Sequence, residues 1–356
     1  MVRTTDNSWL SRYAAFTAFA TLLLICAGGL VTSHGAGMAV PDWPNTFGYN
    51  PFLFPISKWV GGIFYEHTHR LIASGVGLLT TILAVWLWLK ESRRWLRWFG
   101  LIAFFAVVFQ GVLGGLRVVL FKDEIGIFHA TLAQLFFALI CAIALFLSRW
   151  WRRSDALRRA VVDRKGLRGF CLAATILILA QLILGAMMRH QHAGLAIPDF
   201  PTAYGTLWPD MDPHAVAGYN QDRTEVKAVN PITALQIGLQ MTHRIGAVLI
   251  LAAVAACAWL AVRRFGVGHP LGRLSSLWLG LIVIQAFLGA ATIWTGKSAD
   301  IATAHVAVGA LALAVGVLAT IIARRVLVPA GAQVSTARPT NKPSTPFEAT
   351  PVTGLR

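Results

Sequence analysis

The chain has 356 residues, 56% of them hydrophobic and only 13% charged. A soluble domain carries about 25% charged residues, so the composition excludes an ordinary soluble enzyme and points to several membrane spans. Lys and Arg outnumber Asp and Glu by 31 to 15, but this charge gathers in the links between spans, which gives it a topological meaning and removes nucleic acid as a partner.

A helix needs about 20 apolar residues to cross the hydrocarbon layer. By that measure the chain predicts eight spans: 13–32, 66–89, 98–120, 126–148, 169–188, 237–260, 274–294 and 301–323. Nothing alternates with the period of two that a closed barrel requires. The first apolar run reads as a span rather than a cleavable signal. Basic residues collect in alternate links: Arg3 and Arg12 before the first span, Lys90, Arg93, Arg94 and Arg97 in 90–97, eight in 149–168, three in 261–273 and five from Arg324 onward. The intervening loops are poor in them, and even the 48-residue loop 189–236 holds only Arg189, Arg223 and Lys227. The positive-inside rule then puts both termini and the basic links in the cytoplasm.

The chain is also duplicated. The first outer loop reads Gly37-Met38-Ala39-Val40-Pro41-Asp42-Trp43-Pro44, and the third reads Gly194-Leu195-Ala196-Ile197-Pro198-Asp199-Phe200-Pro201, an offset of 157. Further on, Glu66-His67-Thr68-His69-Arg70 is matched by Gln240-Met241-Thr242-His243-Arg244 at an offset of 174, Gln110 by Gln285 at 175, and His129 by His305 at 176. One insertion in the third outer loop accounts for most of the drift. Each half has four spans, so both enter the membrane in the same sense, and the expected fold is all-α and polytopic, with two four-helix bundles related by a pseudo-twofold along the membrane normal. The expected organisation is a cytoplasmic N-terminus (1–12), a first bundle (13–148), a basic cytoplasmic linker (149–168), a second bundle (169–323) and a cytoplasmic tail (324–356) whose Pro, Thr, Ser and Ala content reads as disorder.

His69, His129, His243 and His305 lie about one turn inside the outer ends of spans 2, 4, 6 and 8. Paired imidazoles facing across a bundle suit the two axial positions of a haem iron. Zinc would want three or four ligands, and no carboxylate or cysteine accompanies His243 or His305. A single membrane histidine often only bonds a neighbouring helix; four at matched depths argue for ligands. Glu66 is three residues from His69, hence on the same helix face, and Gln240 replaces it in the second half. That asymmetry suits a reacting half and an assisting half, although a helix-start acid favoured by the dipole is the plainer alternative. His67 points away from His69, toward the loop. Arg70, Arg117 and Arg244 are candidate contacts for haem propionates or snorkelling interface anchors. Gln110 and Gln285, each three residues before Leu-Gly, read as helix-packing groups. His34, His190, His192, His214 and His269 carry no assigned role. Cys26, Cys141, Cys171 and Cys257 fall in apolar runs without CxxC or CxxCH, against a disulfide framework or c-type haem.

Taken together, the eight spans in two halves, Glu-x-x-His-Arg opening span 2 and the three further histidines resemble the haem A synthase family over about residues 13–323. The resemblance implies an oxidoreductase acting on a C–H group: a porphyrin methyl of haem O becomes a formyl group, giving haem A for cytochrome oxidase, through two hydroxylations and loss of water. It implies Glu66 as the catalytic acid, His69 and His129 as the pair holding substrate haem O, and His243 and His305 as axial ligands of a haem b cofactor. Some members carry an outer-loop cysteine pair, and this chain belongs with those that lack it. The location implied is the bacterial cytoplasmic (inner) membrane with the haems near its outer face. Lipid, the haem O synthase, an electron donor that the sequence does not identify, and further copies of the chain are the candidate partners. Two other classes compete: a di-haem b-type electron carrier, against which the Glu66/Gln240 difference speaks, and a transporter of parallel repeats, which would place polar groups at mid-membrane.

Overall fold

The computed structural model describes residues 8–153, 161–163, 166–223 and 230–329. Eight helices are long and apolar enough to cross a membrane: α1 (Ser8–Ser33), α2 (Gly61–Lys90), α3 (Arg94–Leu120), α4 (Asp123–Leu147), α6 (Leu167–His190), α8 (Ala234–Phe265), α9 (Pro270–Trp294) and α10 (Ala299–Val326). Two short helices, α5 (Arg149–Arg153) and α7 (Pro213–Gln221), lie in the central link and the third outer loop. The chain is an all-α multi-pass membrane protein.

Each long helix starts two to five residues before the apolar run that predicts it. At two of these starts a side chain outside the apolar run caps the helix, Thr233 at α8 and His269 at α9. At α8, Thr233 and Gln236 form a reciprocal capping box, which satisfies two otherwise unpaired N–H groups. The consequence is a depth correction. His69, His129, His243 and His305 are the ninth, seventh, tenth and seventh residues of their helices. At 1.5 Å per residue they lie about 9–14 Å from the helix starts, two turns in rather than one.

In the first half α1 packs on α2 and α4, and α3 packs on α2 and α4, so the two histidine-bearing helices stand diagonally across the bundle rather than side by side. The second half repeats this ring with α6, α8, α9 and α10. The halves meet where α10 packs on α4 and α1 and where α4 packs on α6, contacts that exchange with one another when the halves are exchanged. Small residues permit the approach: α10 buries Gly309, Ala310, Ala312, Ala314, Gly316 and Ala319. In lipid, where apolar burial drives little, close van der Waals contact of this kind holds helices together. Trp278 of α9 is fully buried against Gly316 and donates from Nε1 to the Ala312 carbonyl at 2.9 Å.

The central link is not all irregular. Val161–Asp163 (β1) pairs in parallel with Leu327–Pro329 (β2), in the register Val161↔Leu327. Asp163 accepts from the backbone N–H groups of Leu167 and Arg168 at the start of α6, both at 3.0 Å, and faces Arg264 at 3.5 Å. Residues 324–329, expected in the tail, therefore complete α10 and form β2, and the remainder of that tail, from 330, lies outside the described residues.

Candidate functional site

Two outer loops cover the bundles, and they are built alike. In the first, Asp42 accepts from Phe47 N and Gly48 N, both at 2.8 Å. In the second, Asp199 accepts from Tyr204 N at 2.7 Å and Gly205 N at 2.9 Å. The turns share their backbone, with Phe47 and Tyr204 at φ 49° and 53° and Gly48 and Gly205 both at 76°, a left-handed corner that favours glycine. Both loops hold a cis prolyl bond, Trp43-Pro44 and Phe200-Pro201. Burial alone would raise the Asp42 carboxyl, but the N–H groups of Gly48 and Phe47, with Arg70 nearby, outweigh it and hold the acid below its ordinary range. Asp199 is shifted the same way: the N–H of Gly205, the Thr202 hydroxyl and the N–H of Tyr204 overcome its burial.

The repeated motif on α2 and α8 fastens these loops down. Glu66 is 4% exposed; its Oε2 accepts from Val40 N at 2.8 Å. Gln240 does the same for Ile197 N at 2.7 Å, and its amide donates back to the Ile197 carbonyl at 3.3 Å. Arg70 gives all four of its terminal N–H groups to the Asp42, Asn45 and Val40 carbonyls and to Glu66 Oε1, the last at 2.7 Å. Arg244 donates to the Thr202 and Asp199 carbonyls and lies over the Phe200 ring. Arg70, expected at a propionate or the lipid interface, is thus committed to the loop. His67 is fully buried under the first loop, with Nδ1 3.2 Å from Thr46 Oγ1 and Phe54 and Trp59 against its ring. Its counterpart Met241 sits in an apolar cluster with Ile197, Ile232 and Ile237.

Below the loops lie the four histidines, each seated on a glycine of the preceding long helix. A Cβ built on Gly28 would stand 3.0 Å from His69 Cε1, on Gly114 3.3 Å from His129, on Gly185 3.4 Å from His243 and on Gly289 3.2 Å from His305. The glycines therefore give the rings room, and Gly114 and Gly289 do more than pack helices. Three are preceded by a glutamine four residues earlier. Gln110 donates to the His129 carbonyl at 3.1 Å, Gln181 to the His243 carbonyl at 2.7 Å, and Gln285 meets His305 Nε2 at 3.3 Å. Gln181 escapes a reading based on matched offsets, but Gln-x-x-Leu-Gly occurs at 110, 181 and 285 and would have found it. All four Nδ1 atoms are buried without a hydrogen-bond partner. Such an atom is costly to bury unless it serves a ligand. Within each half the two histidines stand on diagonally placed helices of one bundle, His69 on α2 with His129 on α4 and His243 on α8 with His305 on α10. Two histidines per bundle would suit the two axial positions of a haem better than a zinc site, which wants three or four ligands.

Some residues left without a role acquire one. His34 stacks on Tyr65 with ring centres 3.9 Å apart, and His269 caps α9 by accepting from Leu271 N at 3.2 Å. Cys171 of α6 and Cys257 of α8, distant in sequence, are both buried in one apolar cluster of the second bundle.

The fold and the sites define an eight-helix membrane protein with two pairs of buried histidines beneath two matching loops. Residues 11–317 match the model of the COX15-CtaA family, described as cytochrome oxidase assembly protein, and the chain belongs to that family. Among its relatives are proteins named Heme A synthase from Shouchella clausii, 28% identical over 80% of this chain and 87% of that one, Halalkalibacterium halodurans, 26% identical over 83% and 91%, and Geobacillus kaustophilus, 25% identical over 83% and 86%.

Proposed function

We infer that this chain is a haem A synthase, an oxidoreductase whose substrate is haem O. The observation that carries the reading is the doubled seat: two pairs of buried imidazoles, each ring against a glycine and each with an unpartnered Nδ1. In this reading His69 and His129 hold the substrate haem, and His243 and His305 hold a resident haem b. When bound, haem iron supplies the oxidation of an unactivated C–H bond. The protein's own part is to present the porphyrin edge, exclude water with the two fastened loops, and place a carboxylate, Glu66, beside the first pair where the second has the amide of Gln240. Arg117 and Arg244 are the candidate propionate contacts. The Lys/Arg bias supports cytoplasmic termini and sites near the outer face, and the resemblance to the haem A synthase family supports the bacterial inner membrane.

The electron-carrier reading keeps one specific support. Gln240 makes the same backbone contact as Glu66, so loop anchoring alone would explain the position without any acid chemistry. The two readings separate by pigment extraction from a host that makes haem O but no haem A, with and without this chain. Haem A appearing only with the chain supports the synthase; bound haem with unchanged pigment supports the carrier.

A further inference from the structure

The two halves are joined near the haem seats by a pair of residues that only the second half has. Arg189 and His190 end α6, and at the loop offset of 157 the first half has Thr32 and Ser33 there. Both side chains cross into the first half. The Arg189 guanidinium donates through Nη2 to the Gly29 carbonyl at 2.7 Å and to Ser33 Oγ at 2.6 Å, both on α1. Gly29 follows Gly28, the seat of His69, and packs against Thr303 of α10, two residues from His305. Ser33 Oγ lies 3.3 Å from Thr303 Oγ1, so Arg189, Ser33 and Thr303 form one polar bridge across α6, α1 and α10. The His190 ring packs on Gly126, one turn before His129. Among the described residues Arg189 is held by neutral oxygens, and its Nε–H is buried without a partner.

A cation held by neutral groups keeps its full charge in a weakly screened interior. We propose that Arg189 is the charge that sets the reduction potential of the haem held by His243 and His305. The proposal rests on the haem reading above. Ferric haem carries one more positive charge than ferrous haem, so a fixed cation nearby disfavours the oxidised form and raises the potential.

The test is an optical redox titration of the purified full-length holoprotein. Arg189→Gln lowers the midpoint potential while the bis-histidine spectrum stays, and Arg189→Lys keeps the potential close to wild type. Ser33→Asp, which sets a carboxylate against the guanidinium without removing it, lowers the midpoint as well and serves where Arg189→Gln does not assemble. Ser33→Ala, which removes only the bridge, leaves it unmoved. An unchanged potential in both Arg189→Gln and Ser33→Asp, with the spectrum intact, overturns the proposal and leaves the haem reading standing. A wild-type holoprotein without a bis-histidine haem spectrum overturns both.

Discussion

The two outer loops and the helices beneath them form a natural experiment within one chain. The turn, its aspartate, the arginine under it and the side-chain oxygen that anchors Val40 or Ile197 are the same in both halves. What differs is charge and polarity below. The first half has a carboxylate bridged to its arginine and a buried imidazole, where the second has an amide, an arginine with fewer bonds and a methionine in an apolar cluster. The mechanical task of position 66 is thus met by an amide. What the carboxylate adds is its charge and its capacity to hold a proton, and only the half read as holding the substrate has it.

The comparison breaks first at the ligands. His305→Ala or His243→Ala is expected to abolish haem binding in the second half and leave the first, and His129→Ala the reverse, read as pyridine haemochrome per protein. Loss of all haem from any one substitution would show that the halves do not bind independently.

The glycine seats sharpen it. Gly28→Ala pushes a Cβ to 3.0 Å of the His69 ring, whereas Gly185→Ala reaches only 3.4 Å from His243, an ordinary contact. Gly28→Ala is expected to lose most of the haem of its half and Gly185→Ala little, as the optical spectra of the two variants would show.

The anchors come next. Glu66→Ala leaves Val40 N and Arg70 with a lost partner and is expected to cost about 1–3 kcal/mol of local stability, read as faster proteolysis of the first outer loop. Glu66→Gln is expected to keep the loop closed, as Gln240 does. Arg70→Gln should loosen its loop more than Arg244→Gln, because it removes four bonds rather than two.

The smallest effect concerns pH. Asp42 and Asp199 both have carboxyls held below the ordinary value of about 3.9. A depressed folded-state value means that their contribution is complete above the unfolded value and is lost as pH falls through the folded one. Both turns should therefore persist from neutral pH to about 4 and open together only in stronger acid, by hydrogen exchange of Gly48 and Gly205. Opening of one loop at a clearly higher pH would break the equivalence.

Much of this was legible in the sequence because lipid leaves a chain few options. Apolar length gave the eight helices, the Lys and Arg links gave an expected orientation, and the duplicated segments picked out the four histidines. Helix starts were missed where caps rather than hydropathy decide them, as at Thr233, and the histidines consequently lie a turn deeper than expected. Contacts between distant positions could not be read. The diagonal placement of α2 and α4, the commitment of Arg70 to loop carbonyls and the reach of Arg189 into the first half depend on packing geometry that spacing does not encode. Gln181 is legible only from its motif, Gln-x-x-Leu-Gly, because that motif recurs there without a matching offset.

The central claim is that Glu66 acts through its charge and not its shape. The most direct measurement is the haem A content of a haem O-producing host that carries the Glu66→Gln chain, with bound haem and loop protection measured on the same protein. The account predicts that haem A formation is lost while both haems and the closed loop remain. Formation at the wild-type level in that variant would contradict it and leave Glu66 as a loop anchor like Gln240.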